Sequence, residues 1–292
     1  MIPRLLAISA ALGLMLSCLP ARENRIIVGS KNFTEQLILG ELIAQHIEAK
    51  THLPVERRFY LAGTYICHQA IVSGRIDIYP EYTGTALTAI LKEKPEGTRE
   101  QVYDRVKAEY EKRFKLEVGR PFGFNDTFAI EIRGEDARRL HLQTISQAAT
   151  YAPHWRAGFG YEFMERPDGF KGLTATYGLH FAGPPRIMDL GLLTRALKDK
   201  QVDLIAGNTT DGLIPALDLF ILEDDRHYFP PYEAVPIVRE PVLARHPEVR
   251  AALRDLAGKI SDDEMRHLNF AVDGEHRDAK EVVSDFLKKK HL

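Results

Sequence analysis

The feature that most constrains this chain is a strand that breaks into a helix and then recurs. Ile76-Asp77-Ile78-Tyr79 alternates as a short strand does, and Pro80 is expected to stop it. The chain then turns through Glu81-Tyr82-Thr83-Gly84 into an apolar helical run, Ala86 to Leu91. The pattern returns 126 residues further on, where Ala196 to Ile205 matches Ala70 to Tyr79 in its apolar and acidic positions. Asp203 answers to Asp77, Asn208 to Tyr82 and Thr209 to Thr83. A strand ending just ahead of a helix is where open α/β sheets hold their ligands, and Tyr82 and Thr85 sit in that break. Two such units at a domain-sized offset predict two similar α/β lobes facing one another, against the alternative that α/β repeats simply look alike.

A chain of 292 residues is long enough for one large or two modest domains with cores of their own. Hydrophobic residues at 45% and charged residues at 27% suit a soluble globular protein, and a net charge of -2 gives no reason to expect nucleic acid. The N-terminus stands apart. Arg4 precedes a twelve-residue, mostly apolar run, Leu5 to Leu16, too short to span a bilayer and suited to a signal-peptide core, so residues 1–21 are assigned as a signal peptide. Met15-Leu16-Ser17-Cys18 resembles a lipoprotein signal with Cys18 as the lipidated residue, whereas Leu19-Pro20-Ala21 suits ordinary cleavage after Ala21. Either route exports the mature protein to the periplasm or the outer face of the membrane. Cys67 is then the remaining cysteine, so no disulfide framework is expected, and a small buried hydrophobe on a helix is its expected role.

Along the chain, Ile26-Ile27-Val28 reads as a short buried strand that runs into Gly29-Ser30-Lys31-Asn32. Asn32 is placed to cap a helix carrying the stripe Leu39, Leu42, Ile43 and Ile47, which leaves Lys31 at a helix N-terminus, a position that favours anions. Val55 to Leu61 reads as a second strand, about Arg99 to Arg113 as a charged helix and Ala129 to Ile132 as a strand. The crossover into the second lobe falls near here. Ser146 is a candidate cap, and Glu165-Arg166-Pro167-Asp168-Gly169 is a turn carrying an arginine. A helix from Met188 to Lys198 feeds the repeated strand, Ala234 to Val238 returns, and three helices beginning near Pro247, Ser261 and Asp278 close the chain.

The chemistry-bearing patterns of enzymes are missing from the sequence. Gly158-Phe159-Gly160 lacks the third glycine of a dinucleotide loop, because Phe163 stands there. No serine-hydrolase elbow, His-Glu-x-x-His pair or phosphate loop occurs, and the histidines pair with no cysteine at zinc-ligand spacing, so no cofactor or metal is expected. Aromatic and cationic residues at strand ends remain: Lys31, Tyr82, Phe128, Arg166 and Tyr232. Together they describe a cleft for a small zwitterion, with cations for a carboxylate and ring faces for an ammonium.

Three separated motifs, Gly29-Ser30-Lys31-Asn32-Phe33-Thr34-Glu35-Gln36, Tyr79-Pro80-Glu81-Tyr82-Thr83-Gly84-Thr85 and Phe229-Pro230-Pro231-Tyr232, resemble signatures of the osmoprotectant-type substrate-binding proteins of ABC importers, whose ligands are glycine betaine, choline, carnitine and related quaternary amines. The resemblance covers nearly all of the mature chain. It implies a type II periplasmic-binding-protein fold, two α/β lobes around a ligand cleft, with lobe I from residues 24–124 and 233–292 and lobe II from 125–232. It also implies a monomer that delivers its ligand to an ABC permease in the inner membrane. By motif, Tyr82 and Tyr232 match the aromatic box around the trimethylammonium, and Phe128 stands where relatives supply a tyrosine. Lys31, Thr85 and Arg166 fall where relatives hold the ligand carboxylate, and Asp126 where a backbone carbonyl faces the ammonium. Asn208 departs from relatives, which often have a tyrosine there, and leaves three ring faces where four are expected. A binding module of this kind competes with an exported enzyme or sensor domain on the same scaffold. Within the first reading, a larger betaine such as carnitine or ergothioneine competes with glycine betaine.

Overall fold

The computed structural model describes residues 25–292, so the signal-peptide and Cys18 assignments lie outside the described residues. Ten strands form two five-stranded sheets: β1 (Ile26–Gly29), β2 (Val55–Arg58), β3 (Ile78–Tyr82), β4 (Leu116–Val118), β5 (Phe128–Arg133), β6 (Ala157–Phe159), β7 (Arg186–Ile187), β8 (Leu204–Asn208), β9 (Leu219–Leu222) and β10 (Ala234–Arg239). The first sheet runs β2-β1-β3-β10-β4 and the second β7-β6-β8-β5-β9. In each, the central strand has a parallel neighbour on one side and an antiparallel one on the other.

The two sheets repeat one another. β3 and β8 are both central and begin and end 126 residues apart, as do the helices that feed them, Thr64–Val72 and Leu190–Lys198. The acidic residue that marks the repeat does the same work in both units. Asp77 N donates to Ile27 O at 2.7 Å and its carboxylate accepts from Ile27 N at 3.0 Å; Asp203 N donates to Arg156 O at 2.7 Å and its carboxylate accepts from Arg156 N at 3.0 Å. The aspartate thus closes both backbone groups at the start of the neighbouring strand, the C=O through its own N–H and the N–H through its carboxylate, which explains why an aspartate recurs there.

Pro80 does not stop β3, which starts at Ile78 and continues to Tyr82. Two features admit a proline inside a central strand. Pro80 faces Pro236 across the antiparallel ladder, where two residues lacking N–H suit a non-hydrogen-bonded pair. On its other side β1 has already ended at Gly29, so no N–H is required of Pro80 there. Other expectations shift locally. β2 ends at Arg58, short of Leu61, because Tyr60 turns the chain with φ 57°. The first long helix spans Thr34–Thr51, and Asn32 does not cap it; Gln36 reaches back to Lys31 N instead, at 3.3 Å. Thr144 rather than Ser146 caps the helix Ile145–Ala148, through a reciprocal bond with Gln147. The helix after β10, Glu240–Arg245, adds a fourth to the three expected at the C-terminal end.

The core of the first lobe lies on both faces of its sheet. Ile38, Leu39, Leu42, Ile43 and Ile47 of the helix Thr34–Thr51 pack with the helices Pro247–Asp255, Asp262–Asp273 and Ala279–Lys290. Cys67, Ile71, Val102, Val106 and Tyr110 fill the opposite face, with Cys67 fully buried. In the second lobe Ile130, Ile132, Phe159, Phe163, Leu173 and Leu204 form the larger core. The chain passes between the sheets twice, after β4 and after β9, and these passages pair through Asn125 and Glu233. Asp126 N donates to Tyr232 O at 3.0 Å and Tyr232 N to Asn125 Oδ1 at 2.7 Å, so the crossing ribbon itself carries Asp126 and Tyr232 toward the space between the lobes. Among the described residues no helix is long and apolar enough to cross a membrane.

Candidate functional site

A cavity of about 270 Å³ lies between the lobes, and all eight residues singled out from the sequence line it: Lys31, Tyr82, Thr85, Asp126, Phe128, Arg166, Asn208 and Tyr232. Most arrive there from strand ends and from the crossing ribbon, and Arg166 from the turn that follows the helix Tyr161–Glu165. Lys31 follows β1, Tyr82 ends β3, Phe128 opens β5 and Asn208 ends β8, opposite Phe128 in the ladder. Thr85 sits in the helical turn after β3, which widens over Ala86–Ile90 so that Leu91 N donates to Ala86 O five residues back, at 2.9 Å. Such π-type turns recur at functional sites. Gly84, just before, lets the Tyr232 ring approach closely: a Cβ there would meet Tyr232 Cδ1 at 2.7 Å and Pro231 O at 2.7 Å.

The two cations of the cavity are each held by a buried carboxylate. Lys31 Nζ pairs with Glu81, which is fully buried. Arg166, 5% exposed, donates through Nε and Nη2 to Asp168 at 2.9 and 2.5 Å and through Nη1 to Thr85 of the facing lobe at 3.1 Å. Burial disfavours the Asp168 charge, but Arg166 beside it overrides that, and the carboxyl titrates below its ordinary range. Tyr232 OH and Thr88 Oγ1, at 2.5 and 2.8 Å from Asp168 Oδ2, complete its shell. An ammonium has three N–H groups and a guanidinium five, so each cation keeps donors for a ligand after its protein pairing.

The rings are arranged around these cations. The Arg166 guanidinium lies 4.9 Å from the Phe128 ring centre and 5.9 Å from that of Tyr232, while Lys31 Nζ lies 5.2 Å from Tyr82. Phe128 and Tyr232 meet edge to face at 5.7 Å, and Phe33 stacks on Tyr82 at 6.4 Å. Tyr82 OH donates to Glu35 at 2.7 Å, fixing the ring from behind. Glu35 also accepts from Thr210 of the second lobe and from Asn269 Nδ2 at 3.0 Å. Burial raises the Glu35 pKa despite these bonds; burial, with the neighbouring Glu35 adding, drives Asp126 well above its ordinary value. Lys31 and Arg166 are thus compensated where they stand and this carboxyl pair favours protons, while Glu162 and Asp189 add carboxyl groups at the border of the cavity. Cations with donors to spare beside carboxyl groups suit a ligand carrying both signs.

The sequence reading missed part of the lining: Phe33, Tyr161, Glu162, Phe163 and Met188 also border the cavity. Phe33 stood inside a quoted motif. Tyr161 had a signal of its own, because it follows β6, the counterpart of β1, as Asn32 follows β1. Glu162 reaches across to Gly63 at the N-terminus of the facing helix Thr64–Val72; a Cβ on Gly63 would lie 2.1 Å from its Oε1. Nothing in the local sequence signals Glu81, Asp168 or Glu35 as partners of the site, since each acts only through a residue brought near by folding. Among the described residues no group of three or more His, Cys, Asp or Glu could hold a metal ion.

Residues 24–289 match the family described as the substrate binding domain of ABC-type glycine betaine transport systems. The chain is 35% identical over 268 residues to the ergothioneine transport permease/ergothioneine binding protein EgtU of Helicobacter pylori (strain G27), covering 91% of this chain but only 48% of that longer protein. It is 34% identical over 271 residues to the carnitine transport binding protein OpuCC of Listeria monocytogenes, covering 91% of this chain and 87% of the relative. A crystal structure described as a glycine betaine/carnitine/choline ABC transporter superposes with a TM-score of 0.75 at 33% identity, over 91% of this chain and 98% of that one. Two sheets of matching order, a cleft between them and a family match across the described chain lead to one conclusion: this protein belongs to the substrate-binding proteins of betaine-type ABC transport systems, with their type II periplasmic-binding-protein fold.

Proposed function

We propose that this protein captures a quaternary-amine zwitterion between lobe I, residues 24–124 and 233–292, and lobe II, residues 125–232, and hands it to an ABC permease. The ammonium sits among the Tyr82, Phe128 and Tyr232 rings, with Asp126 and Asn208 at its margin, and the carboxylate is met by Lys31, Thr85 and Arg166. The observation that carries this reading is the convergence, in one cavity built by both lobes, of three rings and two cations whose own charges are already compensated. A desolvated ring face attracts a quaternary ammonium by up to about 2 kcal/mol, and charge-assisted bonds to the carboxylate add roughly 1.5–3 kcal/mol each.

Binding proteins of this class work outside the cytoplasmic membrane, and the apolar run before Cys18 supports export by signal peptide, with a lipid anchor on Cys18 as one of its two routes. The relatives are transport proteins, and the paired, buried state of Lys31 and Arg166 supports capture rather than turnover. The test is calorimetric titration with glycine betaine, choline and carnitine, alongside product analysis after incubation. One-to-one binding of at least one of them without product is the expected result. A converted product, or no binding to any quaternary amine, overturns the reading.

A further inference from the structure

The two passages of chain that join the lobes are each fastened to a central strand in the same way. Ala234 faces Tyr82 at the end of β3, and Phe128 faces Asn208 at the end of β8. One residue further out, Glu233 meets Thr83 in lobe I and Thr127 meets Thr209 in lobe II, where each central strand stops and the ribbon begins. Thr83 N donates to Glu233 O and Thr209 N to Thr127 O, both at 3.0 Å, as a continued antiparallel ladder requires.

The return bonds of these two pairs do not come from the backbone. A ladder would have Glu233 N donate to Thr83 O, but that carbonyl already belongs to the helical turn after β3 and accepts from Ala86 N. Thr209 O is diverted too, accepting from Arg266 Nε at 3.0 Å. In each lobe the threonine hydroxyl takes the place of the missing carbonyl. Thr83 Oγ1 accepts from Glu233 N at 3.0 Å, and Thr209 Oγ1 accepts from Thr127 N at 3.1 Å. Each hydroxyl then has one hydrogen to give. Thr83 Oγ1 donates to Pro231 O at 3.2 Å, whereas Thr209 Oγ1 lies 3.5 Å from both Asn125 O and Asp126 Oδ1, so its clasp is the looser.

The residues enclosed by these clasps are ligand-site residues. Pro231 O and Glu233 N flank Tyr232, and Asn125 O and Thr127 N flank Asp126; both enclosed side chains line the cavity between the lobes. Tyr232 is held from its other side as well, because its N donates to Asn125 Oδ1 at 2.7 Å and its O accepts from Asp126 N at 3.0 Å. Both peptide units beside Tyr232 are therefore bonded through N–H and C=O alike, which fixes the backbone from which the ring projects. Thr83 itself is fully buried, and neither threonine lines the cavity.

We propose that Thr83 and Thr209 are positioning residues for ligand capture, one in each lobe, whose hydroxyls hold the ribbon residues Tyr232 and Asp126 in register with Tyr82 and Asn208. This role rests on the quaternary-amine reading of the cavity and adds to it two residues that touch no ligand. It accounts for a threonine directly after Tyr82 and another directly after Asn208. A side chain that completes a ladder rung must both accept and donate, which valine, of nearly the same shape, cannot do.

The test is calorimetric titration of the exported protein with glycine betaine, choline and carnitine, using variants built on Thr83. Thr83→Val removes the hydroxyl and should weaken glycine betaine about 3- to 10-fold, part of the roughly 10- to 30-fold expected from losing the Tyr232 ring. Thr83→Ser keeps the hydroxyl and should bind within about twofold of the parent. In a Tyr232→Ala background, Thr83→Val should cost less than about twofold more, because the ring it positions is already gone; a merely structural threonine would cost the same in both backgrounds. Thr209→Val should cost less than Thr83→Val, in keeping with its longer bonds. Parental affinity in Thr83→Val, or an equal loss with and without the Tyr232 ring, overturns the positioning role and leaves the quaternary-amine reading standing. A parent protein that binds none of the three ligands overturns both. Should Thr83→Val not fold, amide hydrogen exchange of the ligand-free parent decides: slow exchange at Glu233 and Thr127 supports the clasps, and unprotected rates there overturn them.

Discussion

Replacing Arg166 separates a residue that reads the ligand from one that only joins the lobes. Arg166 is 5% exposed and bound to Asp168, itself 2% exposed, so Arg166→Ala strands a buried carboxylate. Breaking a buried pair from one side costs roughly 3–5 kcal/mol, and the single variant should unfold at a clearly lower temperature. That loss would obscure any binding effect, so the informative protein is the double variant Arg166→Ala/Asp168→Asn. Its amide removes the stranded charge, and its Oδ1 can still accept from Thr88 and Tyr232, which lie 2.8 and 2.5 Å from Asp168 Oδ2. Most of the thermal stability should return. Binding should not: with the guanidinium gone, glycine betaine loses charge-assisted bonds of about 1.5–3 kcal/mol, or roughly 10- to 150-fold in affinity. Choline has no carboxylate and should lose less than about threefold. Calorimetry of both ligands on parent and double variant, with melting curves as the control, reads each quantity. Equal losses for glycine betaine and choline would refute the reasoning, because Arg166 would then act only through its bond to Thr85 across the cleft.

The remaining predictions concern the rings, a buried acid and the N-terminus. Tyr82→Ala and Tyr232→Ala should each weaken a quaternary amine about 10- to 30-fold, and phenylalanine at either position should cost less; calorimetry that finds Tyr82→Ala as tight as the parent removes it from the site. Asp211 titrates near 3.8 when unfolded and about 6 when folded, because burial and then the nearby Asp273 oppose its charge. The unfolded chain therefore releases this proton first, and the native state is penalised progressively from about pH 4 to about pH 6 and constantly above. The melting-temperature advantage of Asp211→Asn over the parent should grow across that window and then level off; an advantage that shrinks as pH rises contradicts the burial argument. The intact mass of the exported protein should lack at least residues 1–17, with a diacylglyceryl adduct if Cys18 is lipidated and a start at Arg22 if it is not. A full-length mass would refute both routes.

The sequence carried the repeated unit well because its signals are local. An aspartate at the strand start and a break at the strand end recur 126 residues apart, and the fold turns them into central strands with identical clamps on their neighbours. The eight residues singled out from the sequence line one cavity; Tyr82, Phe128 and Asn208 were legible as strand ends, whereas the ligand roles of Thr85 and Asp126 came through the family resemblance. Pro80 shows the limit. Whether a proline ends a strand depends on what stands beside it, and neither Pro236 across the ladder nor the early end of β1 can be read locally. The carboxylates that hold the site follow the same rule. Glu81 lies fifty residues from Lys31 in sequence, and Glu35 meets Thr210 of the other lobe 175 residues away. Charge compensation of this kind is a tertiary property.

The central claim is that the cleft holds a small molecule with a quaternary ammonium and a carboxylate. The most direct measurement is mass spectrometry of the protein as purified from its own host, first under native conditions and then after denaturation to identify what is released. The account predicts a single low-mass compound at one per chain, carrying both groups. A stoichiometric ligand that lacks a quaternary ammonium, such as a sugar, a peptide or a metal ion, would contradict it.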